Sequence, residues 1–183
     1  MILFIDTHDE LITVALKNGE DIYEKEKISE YKHSIFTMPM IEELFKESKT
    51  NIKDLKKIIV VNGPGSFTGI RIGLSIAKTI AYALNIEINT ISSLTAYLIS
   101  NDNGKQRKAV IEDSKGFYVG AFDENNKPLV KEYYSTEDNL DLPCVEKKLL
   151  VSKIFDYCKN MPSENPHHVK ANYVKTIEVQ YGK

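Results

Sequence analysis

The chain has 183 residues, 42% of them hydrophobic and 27% charged, with a formal net charge of -2. That is the make-up of a globular protein with a sizeable core. It argues against a protein that grips nucleic acid by itself, because phosphate contacts need clustered Lys and Arg. The two cysteines, Cys144 and Cys158, form no C-x-x-C pair and read as free thiols of a reducing cytosol.

"MILFID" reads as a short buried strand. It meets Asp6 after five apolar residues, too few for a signal peptide, and no later run approaches a membrane span. A cytoplasmic protein is expected. "LITVALKN" and "DIYEKEKI" are two more strands, with a turn at Asn18-Gly19. His33 to Lys49 carries Met38, Ile41 and Phe45 at helical spacing, with Leu44 beside them. Pro39 lies inside that helix and predicts a kink or a late start. "KKIIVVN" has no polar alternation, so it predicts a strand covered on both faces. A glycine-rich segment then opens a helix from about Phe67 to Leu84. "IEINTIS" is a further strand and "SLTAYLIS" a third helix. The order predicts a mixed sheet with helical crossovers.

"SNDNGKQ", residues 100–106, is polar and turn-rich and marks a lobe boundary, giving lobes of 1–103 and 104–183. "AVIEDSKGFYVGAFDENNKPLVKEYY" then repeats the pattern of the N-terminus, strand-turn-strand-turn-strand. Ile111-Glu112-Asp113 stands where Ile5-Asp6 stood, and Gly120-Ala121-Phe122 echoes Val14-Ala15-Leu16. The echo predicts internal duplication. "EKKLLVSKIFDYCKN" reads as one amphipathic helix or two short pieces, and "ANYVKTIEVQ" as a final strand or tail.

The segment "VNGPGSFTGIRIG" raises the functional question. It is no P-loop, because no lysine comes after its glycines before Lys78. It is a weak dinucleotide fingerprint, because Thr68 holds the third glycine's place. Its spacing is more informative. Gly69, Gly73, Ala77 and Ala81 recur every four residues and form a small-residue stripe on the helix. The chain's own sheet can cover another side of this helix, whereas such a stripe suits a closely approaching helix, that of residues 33–49 or a partner's, and internal packing alone suits it equally well. Arg71 opposes the helix dipole in the first turn, which suits an acidic partner or a phosphate, or simply solvent.

"GPGSFTGIRIGLSIAKTIA" closely resembles the signature of the TsaB family of tRNA threonylcarbamoyladenosine biosynthesis proteins. "ILFIDT", "VAL", the His and Pro of "HSIFTMPMIEEL", and "NTISSLTAY" agree in order and spacing. "VIEDSKGFYVGAF" is similar to a divergent form of the family's Asp-Ala-Arg turn, with Ser114 and Lys115 at the Ala and Arg places. "NYVK" resembles its closing motif. The resemblance implies an α/β, actin-like fold of two ribonuclease-H-like lobes, the second one reduced. It implies a non-catalytic subunit that pairs with TsaD, the threonylcarbamoyltransferase acting on adenosine 37 of tRNAs that read codons beginning with A. The ATPase TsaE joins the larger complex, tRNA meets the chain only through it, and homodimers use the same patch when TsaD is absent. Pairing through residues 33–49 and 67–84 would make Met38, Ile41, Phe45, Gly69, Arg71, Gly73, Ala77 and Ala81 the partner-binding residues.

TsaD-like proteins hold a metal with histidines where this chain reads "SSLTAY". Ser93 and Tyr97 stand at those places, and a hydroxyl and a phenol are poor ligands beside imidazole. No metal, no cofactor and no catalytic residue are therefore expected. Asp6 and Thr7 match the turn that contacts phosphates in actin-like ATPases and are the candidate phosphate contacts. His33 is read as a surface or helix-start histidine, and Glu112 and Asp113 as a strand end. The alternative is an active sugar-kinase-like ATPase or a metalloprotease of the same superfamily.

Overall fold

β1 (Ile2–Asp6) owes its place to having no exposed face: Leu3, Phe4 and Ile5 are all fully buried. In a strand, successive side chains point to opposite faces, so a continuous apolar run demands cover on both. Leu3 and Ile5 enter one core, and Phe4 enters another. The structure is a computed structural model, and it describes residues 1–174. The Tyr-x-Lys ending and the final strand read at 171–180 lie partly outside the described residues.

β2 (Leu11–Asn18) and β3 (Asp21–Ile28) form an antiparallel meander with β1. β4 (Lys57–Val61) and β5 (Glu87–Ile91) then join in parallel, giving the order β3-β2-β1-β4-β5. Two helices supply the crossovers, α1 (His33–Glu47) and α2 (Phe67–Leu84). Pro39 sits within α1 without ending it. α2 is capped by Ser66, whose Oγ accepts from Gly69 N at 3.2 Å, and it ends at Asn85 in the left-handed conformation. Both helices pack on one face of the sheet. There Ile41, Leu44 and Phe45 of α1 and Ile70, Leu74 and Ile80 of α2 meet Leu3, Ile5, Ile58 and Val60.

The second half forms its own sheet. β6 (Arg107–Asp113), β7 (Gly116–Phe122) and β8 (Pro128–Ser135) make an antiparallel meander in sequence order. This matches the echo of β1–β3. No parallel strand extends the second sheet among the described residues, so it is the reduced copy. α3 (Ser93–Ser100) lies between the sheets, and Leu94 and Leu98 pack with Ala109 and Phe122. Arg107 locks this junction from inside. It is 2% exposed, and its guanidinium donates to the carbonyls of Leu98 at 2.9 Å and Lys105 at 3.0 Å.

The last helix differs from its sequence reading. α4 is confined to Val151–Cys158. Residues 146–150 before it are tied to the end of α3 instead: Asn101 Nδ2 donates to Glu146 O at 3.0 Å, and Leu150 N donates to Ser100 Oγ at 2.9 Å. α4 does not cover the second sheet. Val151, Ile154 and Phe155 pack on the other face of the first sheet, with Phe155 edge-on to Phe4 at 6.4 Å. No helix among the described residues is long and apolar enough to cross a membrane.

Candidate functional site

The glycines of the α2 entrance answer to the end of β1. Gly65 has φ +155°, and a Cβ there would lie 2.3 Å from His8 O. A Cβ on Gly69 would lie 2.0 Å from Thr7 O, and one on Gly73 would lie 2.3 Å from Thr7 Oγ1. The space is filled by the chain's own strand. Ala77 and Ala81 continue the stripe into the core below, at 0% and 1% exposure.

Gly69, Gly73, Ala77 and Ala81 are buried in this chain and bring α2 close to the sheet, the internal packing that the spacing also allows. Ile41 and Phe45 of α1 are also core residues, directed at the same sheet. The sequence cannot separate these cases, because a close sheet and a close helix both demand small side chains at a spacing of four.

Of the eight residues read as partner-binding, Met38 and Arg71 remain at the surface. They belong to a groove of about 460 Å³ along the outer side of α1 and α2. Phe67, Ile72 and Ile76 line it with them. Phe67 is 53% exposed although it is a large aromatic. Arg71 lies over its ring at 3.6 Å, and Arg71 Nε donates to Tyr173 Oη at 3.2 Å. Cation–π contact offsets the unfavourable helix dipole at this position. An exposed apolar groove with an ordered arginine is the composition of a protein-docking face. Sequence reasoning missed Phe67, Ile72 and Ile76, though the pattern held them. They lie one and two positions before the stripe residues, which on a helix is the flank and the opposite side.

The candidate phosphate contacts are already committed. Thr7 Oγ1 donates to Gly69 O at 2.8 Å. Asp6 is 1% exposed, and its carboxylate oxygens lie 2.7 and 2.9 Å from His8 Nδ1. His8 Nε2 in turn meets Tyr97 Oη at 3.1 Å. All three side chains are buried, forming an internal carboxylate–imidazole–phenol chain from the first sheet to the helix beneath the second. Burial pushes the His8 pKa down, but the Asp6 carboxylate outweighs it, and the net shift is upward. Burial also raises the Tyr97 phenol. This arrangement fastens His8 and Tyr97 in the wall of a 370 Å³ cleft, with Asp6 behind them.

The two places of ligand histidines are likewise occupied. Ser93 Oγ donates to Pro64 O at 2.5 Å, and Tyr97 is held by His8. His33 Nε2 donates to Asp9 O at 2.7 Å and so fastens the start of α1. Glu112 and Asp113 end β6, as expected of a strand end. Among the described residues, no group of three or more His, Cys, Asp or Glu side chains is placed to hold a metal ion.

This geometry has relatives. Residues 25–111 match the family model described as TsaD, tRNA N6-adenosine threonylcarbamoyltransferase. The tRNA threonylcarbamoyladenosine biosynthesis protein TsaB of Bacillus subtilis (strain 168) is 43% identical over 95 residues, 51% of this chain and 41% of that one. The chain thus aligns with about two-fifths of that relative. The protein of the same name from Buchnera aphidicola subsp. Acyrthosiphon pisum is 29% identical over 184 residues, 95% of this chain and 82% of that one. The chain is thus similar to TsaB proteins over its whole length at 29% identity and more closely over its first half. The fold agrees: YeaZ from Pseudomonas aeruginosa superposes with a TM-score of 0.81 at 18% identity, covering 93% of this chain and 99% of that one. The chain thus presents two candidate sites, an open helix-pair groove and a cleft whose floor is fastened internally.

Proposed function

We propose that the chain is a non-catalytic subunit required for threonylcarbamoylation of adenosine 37 in tRNAs reading codons that begin with A. It acts by pairing with TsaD through the outer side of α1 and α2. The observation that carries this reading is the exposed groove of Met38, Phe67, Arg71, Ile72 and Ile76 on the helix pair that the family signature encodes. TsaE joins the paired proteins in the larger complex, and tRNA is met there rather than by this acidic chain alone. The proposal includes a two-lobe division at 1–103 and 104–183, a cytoplasmic setting, and self-pairing through the same groove when TsaD is absent. The non-catalytic role is supported by the commitment of Asp6, Thr7, Ser93 and Tyr97 to internal bonds.

Reconstitution tests this reading. With TsaD and TsaE from the same genome, threonylcarbamoyl-adenylate and tRNA, modified adenosine is expected only when this chain is added. The chain alone is expected to modify no tRNA and to turn over no ATP. Equal modification without it, or sustained ATP turnover by the chain alone, would overturn the proposal.

A further inference from the structure

The turn between β3 and α1 runs against the preferences of its residues. Lys32 N donates to Ser29 O at 2.8 Å and closes a four-residue turn around Glu30 and Tyr31. Both central residues have positive φ, 47° and 64°. Turns of that kind favour Asn-Gly, because a Cβ crowds the backbone there. A bulky aromatic in this region is an outlier. The helix that follows brings no relief, since its N-cap is Lys32 and makes no side-chain cap. Yet the turn holds out Tyr31, which is 89% exposed. A side chain so exposed adds almost nothing to the fold, so the strain is not offset within the chain. Unrelieved strain of this sort marks positions kept for function.

Tyr31 stands in the rim of the 370 Å³ cleft. Asp9, Glu10, Glu112 and Asp113 line that cleft with it, opposed by Lys147. Lys32 beside the ring is drawn to Glu30, 4.0 Å away. An acidic rim disfavours RNA phosphate and suits a basic side chain. The cleft and the outer groove of α1 and α2 share an edge. His33 and Ser66 line the cleft, and their chain neighbours Ser34 and Phe67 line the groove. Ile35 of α1, 60% exposed, belongs to the same edge. We propose that Tyr31 is a second anchor of the docking face, its ring taking a basic side chain of TsaD, an inference that rests on the reading of the groove given above. A cation over a tyrosine face is attracted by the ring quadrupole, and tyrosines are enriched among the residues that dominate interfaces.

Tyr31→Gly separates this role from the fold, because the two expected effects have opposite signs. Glycine relieves the strained φ, so the melting temperature should rise by about 2 °C. The dissociation constant for TsaD of the same genome should rise about tenfold. Tyr31→Phe keeps both the ring and the strain and should match the wild type in both measurements. An unchanged dissociation constant for Tyr31→Gly would overturn the proposal. A lowered melting temperature would also overturn it, because Tyr31 would then serve the fold. Weakened binding by Tyr31→Phe would exclude the ring as the contact. Unchanged affinity for TsaD with weaker binding of tRNA by the assembled complex would make RNA the occupant instead. Ile72→Glu in the groove tells the two readings apart. A loss there with none at Tyr31→Gly removes the anchor and leaves the groove, and no loss at either removes both.

Discussion

Gly69→Ala is expected to destabilise the protein by about 3 kcal/mol, although the same change in an exposed helix interior is worth roughly 1 kcal/mol of stability. The reversal of sign is the informative part. The added methyl would sit 2.0 Å from Thr7 O and 3.3 Å from both His33 Nε2 and Ser66 Oγ. A backbone carbonyl in the terminal turn of a central strand cannot swing aside. Either α2 lifts from the sheet or β1 shifts, and both disturb the core that α1 shares. For a chain of this size, melting temperature falls roughly 2–4 °C per kcal/mol, so a drop of about 6–12 °C is expected. Ser75→Ala is the control: it lies on the same helix, is exposed, and should leave thermal unfolding nearly unchanged. Equal melting temperatures for Gly69→Ala and the wild type would mean that the stripe does not touch the sheet.

The second large effect concerns the buried ion pair. Asp6→Asn keeps the volume but removes the counter-ion of His8. Breaking a buried pair from one side costs about 3–5 kcal/mol. The dependence on pH separates this loss from simple packing damage. The wild-type His8 pKa is raised above 6.5, so the pair's contribution is full below 6.5 and is lost as pH rises through the folded value. In Asp6→Asn burial acts on His8 without its main opponent. The folded pKa then falls below the unfolded one, and stability declines as pH drops. The charged or titratable groups facing His8 are Asp6, Asp9, Lys147 and Tyr97, and of these Asp6 dominates. Urea unfolding at pH 5.5, 7 and 8.5 should show the gap between the two proteins widest in acid and narrowest in alkali. Parallel curves would show that Asp6 is not the counter-ion. Tyr97 does not alter this sign, because its hydroxyl accepts from the charged imidazole and donates to the neutral one.

Much of the fold is legible in the sequence because it rests on local patterns. The strand β4 is apolar without alternation, and it is buried along its whole length. The limits of α2 are set by Ser66, an N-cap hydroxyl after the glycines, and by Asn85 after the last apolar residue. The duplication is visible in two short echoes, and both fall in three-stranded meanders. The directions of side chains are less legible. The stripe at residues 69, 73, 77 and 81 has the same spacing whether it meets a helix or a sheet, and only the position of Thr7 decides. His8 reads as a lone histidine. Its signal is the spacing to Asp6, since two residues apart at a strand end share a side. Its third partner, Tyr97, lies 89 positions away and no local pattern could supply it. Periodicity overextends α4 because the backbone of residues 146–150 is drawn off to Ser100 and Asn101 at the end of α3, long-range contacts that composition does not encode.

The central claim is that the outer groove of α1 and α2 docks TsaD while the small residues below it hold the fold. The most direct measurement is the dissociation constant for TsaD of the same genome, by titration calorimetry, for the wild type and Ile72→Glu. Ile72 lines the groove and is partly exposed, so the charge should leave the melting temperature within a few degrees of the wild type. A buried, unpaired charge at a docking face should weaken binding at least about tenfold, or roughly 1.4 kcal/mol. An unchanged dissociation constant with unchanged stability would contradict the account and place the partner elsewhere on the molecule.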